Sequence, residues 1–281
     1  MRLGWDSKAL EKQAYNMRVS MMDTIFKAKS GHQGGSLSAL DIITTLYFNE
    51  LNVDTERPDW EDRDRFVLSK GHASVGYYTV LGHRGFFPIE EMKTYSMINS
   101  RLQGHPDMCK TPGVDYTSGS LAQGFSAAIG IAMGGKLRKK DFRVYAMVGD
   151  GELNEGQIWE GILFAAKYKL DNFIAIIDRN GLQCSDNTEN ALPLEPLAAK
   201  WCDFGWEVLE IDGHDFQAIL DAIAKAKTIK GKPVVIIAST IKGKGVSFME
   251  NSVAWHAQIF NENTYKAAKN ELLQKGDRYN D

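Results

Sequence analysis

Five short apolar runs, RFVLS, RVYAMVGDG, NFIAIIDRN, WEVLEIDG and PVVIIAST, recur along this chain with helical patterns between most of them. Runs this short and this apolar suit strands covered on both faces. Their alternation with helices marks an α/β fold, a doubly wound, mostly parallel sheet with helices on both faces. Ligands of such sheets bind outside the carboxyl ends of the strands. The least ordinary residues of the sequence fall there: SKGH after the first run, GDGELNEG after the second, RNGLQ after the third and KGKG after the last.

From Asp6 to about Lys29, the residues Leu10, Ala14, Met17, Met21 and Ile25 recur at three- and four-residue steps, which predicts an amphipathic helix. The loop SGHQGGS ends it, and Ser36 or Ser38 is placed to cap the next helix, LSALDIITTLYFNEL. The charged stretch from Asp54 to Arg65 reads as a surface connection, and ENTYKAAKNELLQK as a trailing C-terminal helix. No repeat, low-complexity segment or Pro-rich linker interrupts the chain, so residues 1–281 are expected to form one domain. With 43% hydrophobic residues it can bury a full core, and a formal net charge of −3 gives no general attraction to nucleic acid or anionic membranes. No apolar run has the length of a signal-peptide core or a bilayer span, so a cytoplasmic protein with small-molecule or protein partners is expected. Cys109, Cys184 and Cys202 lie far apart without CxxC spacing and read as reduced thiols.

The segment RVYAMV-GDGELNEG-QIWEGILFAAKYK reads as strand, glycine turn and helix, so backbone N–H groups at the turn can face an anion. Asp150 in that turn would repel a phosphate unless a divalent cation lay between them, which points to a magnesium diphosphate. Asn180 and the Leu182 carbonyl follow a strand expected beside RVYAMV and can supply further oxygen ligands. Alone, Gly-Asp-Gly is an ordinary turn. A nucleotide-binding Rossmann turn fits less well, because the first glycine turn is not GxGxxG.

GDGELNEG followed about thirty residues later by DRNGLQ resembles the thiamine diphosphate fingerprint of the transketolase family. SGHQGGSLS, SKGHASVGYY, GHPD, TPGVDYTSGSLAQGFSAAIGIAMG and STIKGKG, with Trp255 and His256, are similar to transketolase segments and occur in the family's order, from about Asp6 to Ala257. The resemblance implies a thiamine diphosphate cofactor with Mg2+, replaceable by Ca2+ or Mn2+, the metal being held by Asp150, Asn180 and the backbone of Leu182. It implies that Gly149, Gly151 and Glu152 form the diphosphate turn and that His72 and His256 contact the phosphates. Gly119 and Leu121 would lie against the cofactor body and Ile241 on its pyrimidine side. His32, His105 and His256 are implied near the reacting carbon, and Glu155 at a subunit interface where it couples two active sites. His83 and His214 read as structural, while Lys242 and Lys244 are divided between phosphate contact and plain solvation. The sequence departs from the family in three places: Arg179 precedes Asn180 where a second asparagine is frequent, Gln33 follows His32 in place of the more usual proline, and GSLAQG replaces a form richer in proline and glycine.

The family also has a pyrimidine-binding domain bearing a catalytic glutamate, and the stretch after His256 leaves no room for one. The resemblance therefore implies the N-terminal subunit of a split transketolase, or a fragment of a longer one. It would work in a 2:2 heterotetramer with a C-terminal subunit that carries the missing domain. The implied reaction moves a two-carbon glycolaldehyde unit from a ketose phosphate to an aldose phosphate, as in pentose phosphate metabolism. Two other enzyme readings are a subunit like 1-deoxyxylulose-5-phosphate synthase and one like the alpha subunit of a 2-oxoacid dehydrogenase. A non-catalytic scaffold that keeps the fold is the reading from a different class.

Overall fold

The computed structural model describes residues 2–276. The five apolar runs are its five strands: β1 (Arg65–Leu68), β2 (Val144–Gly149), β3 (Phe173–Arg179), β4 (Glu207–Asp212) and β5 (Val234–Ser239). All pair in parallel in the order β1-β2-β3-β5-β4, and β2 lies beside β3 as the sequence predicts. Side chains alternate between two cores. Ile174 and Ile176 of β3 face one, while Phe173, Ala175 and Ile177 face the other.

The first core is covered by α1 (Ser7–Ala28), α2 (Gln33–Thr45), α3 (Ser74–Arg84), α8 (Phe216–Thr228) and α9 (Glu262–Gly276). The second lies under α4 (Gln123–Leu137), α5 (Gly156–Lys167) and α7 (Leu197–Asp203), with the single turn α6 (Thr188–Ala191) in the loop before α7. This is the doubly wound α/β architecture read from the sequence. Among the described residues no helix is long and apolar enough to cross a membrane, and Cys109, Cys184 and Cys202 are free and exposed.

Helix α1 follows its predicted spacing. Leu10, Ala14, Met17, Met21 and Ile25 are buried, the Asp6 side chain accepts the Ala9 N–H over 2.9 Å, and Lys29 at φ 52° closes the C-terminus. Helix α2 does not start at a serine. Its N-cap is His32, and Ser36 and Ser38 lie inside the helix, where Ser38 Oγ donates to Asp178 Oδ2 over 2.7 Å. Of the two glycines in its first turn, Gly34 is required by packing: a Cβ there would approach the Trp255 carbonyl to 2.8 Å, a contact that only glycine avoids. All thirteen residues of α2 are buried, and Ser38 in its N-terminal half meets Asp178 at the carboxyl end of β3. The stretch before β1 is also less superficial than its charge suggests. Asp64 is buried and accepts the Asn52 and Arg143 N–H groups over 2.9 and 2.8 Å.

Candidate active site

Four strand ends and the start of α2 converge on a cavity of about 460 Å³. Its lining includes Gly149, Asp150, Gly151 and Glu152 after β2, Asn180 and Leu182 after β3, and Lys242 after β5. His32, His72, Gly119, Leu121 and His256 line it as well. Most of the residues that the sequence nominates are thus brought together.

Asp150 is 2% exposed, and backbone groups fix its carboxylate. Oδ1 accepts the Gly151 N–H over 2.8 Å, and Oδ2 accepts the Gly181 N–H over 2.6 Å. Burial, then the nearby Asp178 carboxylate, raises its pKa against the opposing pull of its backbone N–H donors and Arg179. Asn180 Oδ1 accepts the Leu182 N–H over 3.1 Å, which curls the loop so that the Leu182 carbonyl turns toward Lys242. A carboxylate, an amide oxygen and a carbonyl are the hard oxygen donors that magnesium or calcium takes.

The rest of the lining is rich in basic residues. The rings of His32, His72 and His256 lie 5.3 to 5.4 Å apart, centroid to centroid. Burial, then the Lys70 ammonium, holds His72 well below the usual imidazole range. Burial and the neighbouring Lys242 bring His256 down to about 4, and burial followed by Lys70 brings Lys242 down to about 8. Nδ1 of His32 and of His256 is buried with no hydrogen-bond partner among the described residues. Such a cluster resists protonation first because it is buried and then because its charged neighbours are cationic, and a bound diphosphate would supply the opposing charge. The residues present therefore fit a magnesium diphosphate.

The floor of the cavity rests on Asp178, which is fully buried at the end of β3. It accepts from Lys70 Nζ, Ser38 Oγ and Thr240 Oγ1, tying together the loop after β1, α2 and the end of β5. Burial alone would raise its pKa, but the Lys70 ammonium prevails and lowers it. Sequence reasoning gave no role to Lys70 or Asp178. The signal was present in the ionisable residues that directly end two buried strand runs.

Several nominated residues stand elsewhere. Glu152 lines the cavity, but its oxygens already serve the protein: Oε1 accepts Ser69 Oγ–H and, over 2.8 Å, the Ala122 N–H, while Oε2 accepts the Gly149 N–H over 3.0 Å. Those bonds make it a brace between the loops after β1 and β2 and the start of α4. Ile241 lines a neighbouring hollow with His214 and Thr240, because the turn after β5 directs Lys242 inward instead. Glu155 is exposed outside the cavity at the start of α5. His105 is exposed at the mouth, its ring 6.4 Å from that of His32 and next to Gly119. His83 pairs with Gln13 over 3.1 Å and His214 with Asp41 over 2.8 Å, both away from the cavity, and Lys244 lines the hollow beside Ile241. The departure at Arg179 has a visible use: its guanidinium reaches Asp150 at 3.4 Å, Glu189 at 2.8 Å and Glu195 at 3.0 Å, pinning the loop that carries α6.

This fold and this cavity define a diphosphate-binding α/β domain, and the comparisons with known proteins say which one. Residues 10–278 match the model of the transketolase, thiamine diphosphate binding domain. The chain therefore belongs to the transketolase family, as the part that binds thiamine diphosphate. It is 44% identical over 267 residues to a 6-deoxy-6-sulfo-D-fructose transketolase subunit of Clostridium sp. (strain MSTE9), covering 95% of this chain and 97% of that one. It is 39% identical to an apulose-4-phosphate transketolase subunit of Phocaeicola vulgatus, with 95% of each chain covered. Against human transketolase it is 38% identical, but spans only 42% of that protein's length. The solved transketolase of Campylobacter jejuni superposes with a TM-score of 0.90 at 32% identity, covering 98% of this chain and 46% of the other.

Proposed function

We propose that this chain is the diphosphate-side subunit of a split transketolase. A partner subunit would supply the pyrimidine-binding half, and the pair would move a two-carbon ketol unit from a ketose phosphate to an aldose phosphate. The observation that carries this reading is the pairing of an oxygen-donor wall, Asp150, Asn180 and Leu182, with a charge-starved basic wall, His32, His72, His256 and Lys242, in one cavity. The relatives of matching length, named as subunits, support the need for a partner. A 2:2 assembly follows from the symmetric pairing of such subunits.

Bound thiamine diphosphate supplies the carbon nucleophile and electron sink for breaking and remaking a carbon–carbon bond beside a carbonyl. The protein's tasks are charge balance, orientation and proton handling. Asp150, with Asn180 and the Leu182 carbonyl, would hold the metal, and the Gly151 turn and Lys242 would face the diphosphate. Before the diphosphate binds, His256, brought down to about 4, is a neutral imidazole at neutral pH, and His32 is lowered in the same direction, first by burial and then by His105. A neutral ring donates from one nitrogen and accepts at the other, as hydrogen bonding to sugar hydroxyls requires. His105 at the mouth meets the substrate rather than the cofactor.

The test is ketol transfer with thiamine diphosphate and magnesium, using this chain alone and then with the product of an adjacent transketolase-like gene. Xylulose 5-phosphate, apulose 4-phosphate and 6-deoxy-6-sulfofructose serve as donors, the last two because relatives bear those names. Turnover only in the mixture supports the split enzyme, and the preferred donor identifies the substrate class. No transfer from any donor in the mixture refutes the reading.

A further inference from the structure

Behind the turn that carries Lys242 lies a buried cluster with no part in the chemistry above. Arg18 on α1 and Asp41 on α2 are each 2% exposed. Asp41 Oδ2 accepts from Arg18 Nη2 over 2.7 Å and faces His214 Nδ1 at 2.8 Å. His214, in the loop between β4 and α8, receives the Ile241 N–H at Nε2 over 2.8 Å. An N–H aimed at Nε2 makes that nitrogen the acceptor, so the ring hydrogen sits on Nδ1 and points at Asp41. Arg18 grips the other end of the same turn, its Nε donating to the Lys244 carbonyl over 3.4 Å. Between the two grips the Gly243 N–H donates to the Gly34 carbonyl over 3.1 Å, and the Lys242 stem lies across Gly34. One carboxylate thus anchors both ends of the four-residue turn 241–244, whose second residue enters the cavity.

We infer that Arg18, Asp41 and His214 form an anchor that positions Lys242, with His214 as its tautomer-fixed link. These are positioning residues, since none of them lines the cavity. Their importance to catalysis rests on the reading of the cavity as the cofactor seat. The position of Lys242 itself can be read without cofactor.

The experiment compares the wild-type full chain with His214→Asn and His214→Gln. Asparagine places an N–H near the Nδ1 position, so Asp41 keeps its partner, but offers Ile241 no acceptor. Glutamine reaches the Nε2 position with an amide oxygen. Lysines labelled at Cε are followed by NMR in the cofactor-free chain, with the Lys242 signal assigned from its loss in Lys242→Met and the Lys70 signal from Lys70→Met. In His214→Asn the Lys242 signal is expected to move into the cluster of solvent-exposed lysines while that of Lys70 stays in place, and His214→Gln is expected to restore it. An unmoved Lys242 signal in His214→Asn, or equal displacement of Lys70, overturns the anchor. Failure of glutamine to rescue also overturns the assigned link. Magnesium thiamine diphosphate is titrated into the wild type separately, so a missing cofactor site would count against the proposed function and not against the anchor.

Discussion

Lys242 Nζ donates to the carbonyl oxygen of Leu182 over 3.0 Å. A carbonyl oxygen has two lone pairs, so this bond leaves one for a metal while fixing the direction in which the oxygen points. Lys242→Met keeps most of the stem volume and removes the ammonium. Hydrogen bonds to charged groups contribute about 1.5–3 kcal/mol, which corresponds to roughly 10- to 100-fold in affinity. Magnesium-dependent retention of thiamine diphosphate by the assembled complex, measured by equilibrium dialysis, should weaken within that range. Retention equal to wild type would mean that the ammonium neither shapes the loop nor balances charge.

Asp150 is the one carboxylate of the oxygen-donor wall, and backbone N–H groups already set its orientation. Asp150→Ala should abolish the metal dependence of cofactor retention. Chelator-sensitive retention that persists in the variant would move the metal away from this residue.

His105 stands at the mouth and not against the diphosphate turn. His105→Ala should lower kcat while leaving the Kd for thiamine diphosphate within about twofold, because a contact made to the reacting substrate acts on turnover. A large rise in that Kd with kcat unchanged would give His105 a cofactor-binding role.

Glu152 receives three protein donors and is 2% exposed. One of them, the Ala122 N–H, belongs to a non-glycine residue at φ 68°, a conformation with a cost of its own. Glu152→Gln must turn an N–H toward at least one of these donors. A buried group left unsatisfied costs about 1–3 kcal/mol. Urea unfolding should show a loss of that size with an unchanged m-value, and undiminished stability would show that the brace is dispensable.

The basic wall also fixes a pH dependence. His256 titrates near 6.5 when unperturbed and at about 4 in the folded chain, and His32 and His72 are shifted the same way. Between these values the unfolded chain binds protons that the folded cavity refuses, so stability falls as pH drops from about 6.5 toward 4 and does not change on this account above 6.5. With screening allowed for at the half-buried His256, its share is on the order of 1–2 kcal/mol. His256→Gln should flatten the slope of unfolding free energy between pH 7 and pH 5. An identical slope in wild type and variant would contradict the lowered pKa.

The sequence made the sheet legible because each strand is a compact apolar run, whereas His32, His72 and His256 were nominated only through the resemblance to transketolases, since a histidine after a glycine is by itself an ordinary turn residue. The start of α2 is misleading in the sequence because serine is a good cap in isolation. Close approach of Trp255, more than two hundred residues away in the chain, instead favours glycine at Gly34. The brace made by Glu152 and the inward turn of Lys242 at the expense of Ile241 were hidden for the same reason: each depends on partners from distant segments. Local spacing says where a residue lies along the chain, and only packing decides which neighbour it meets.

The pairing of Gly149 with Asp178, and of Arg179 with Ser239, sets the length of β3 as strictly as its composition. Because neighbouring strand residues point to opposite faces, deleting one residue from β3 would turn Arg179 toward Ser38, Lys70 and Thr240 and carry Asp178 to the side of Asp150. Two positive charges would then meet where one ion pair now stands. An apolar exchange at Ile176 changes packing alone, whereas an in-frame deletion at the same codon replaces the carboxylate in the floor of the site with a second cation. Natural variation in this strand should therefore consist of substitutions, with changes of length confined to the loops at the amino ends of the sheet.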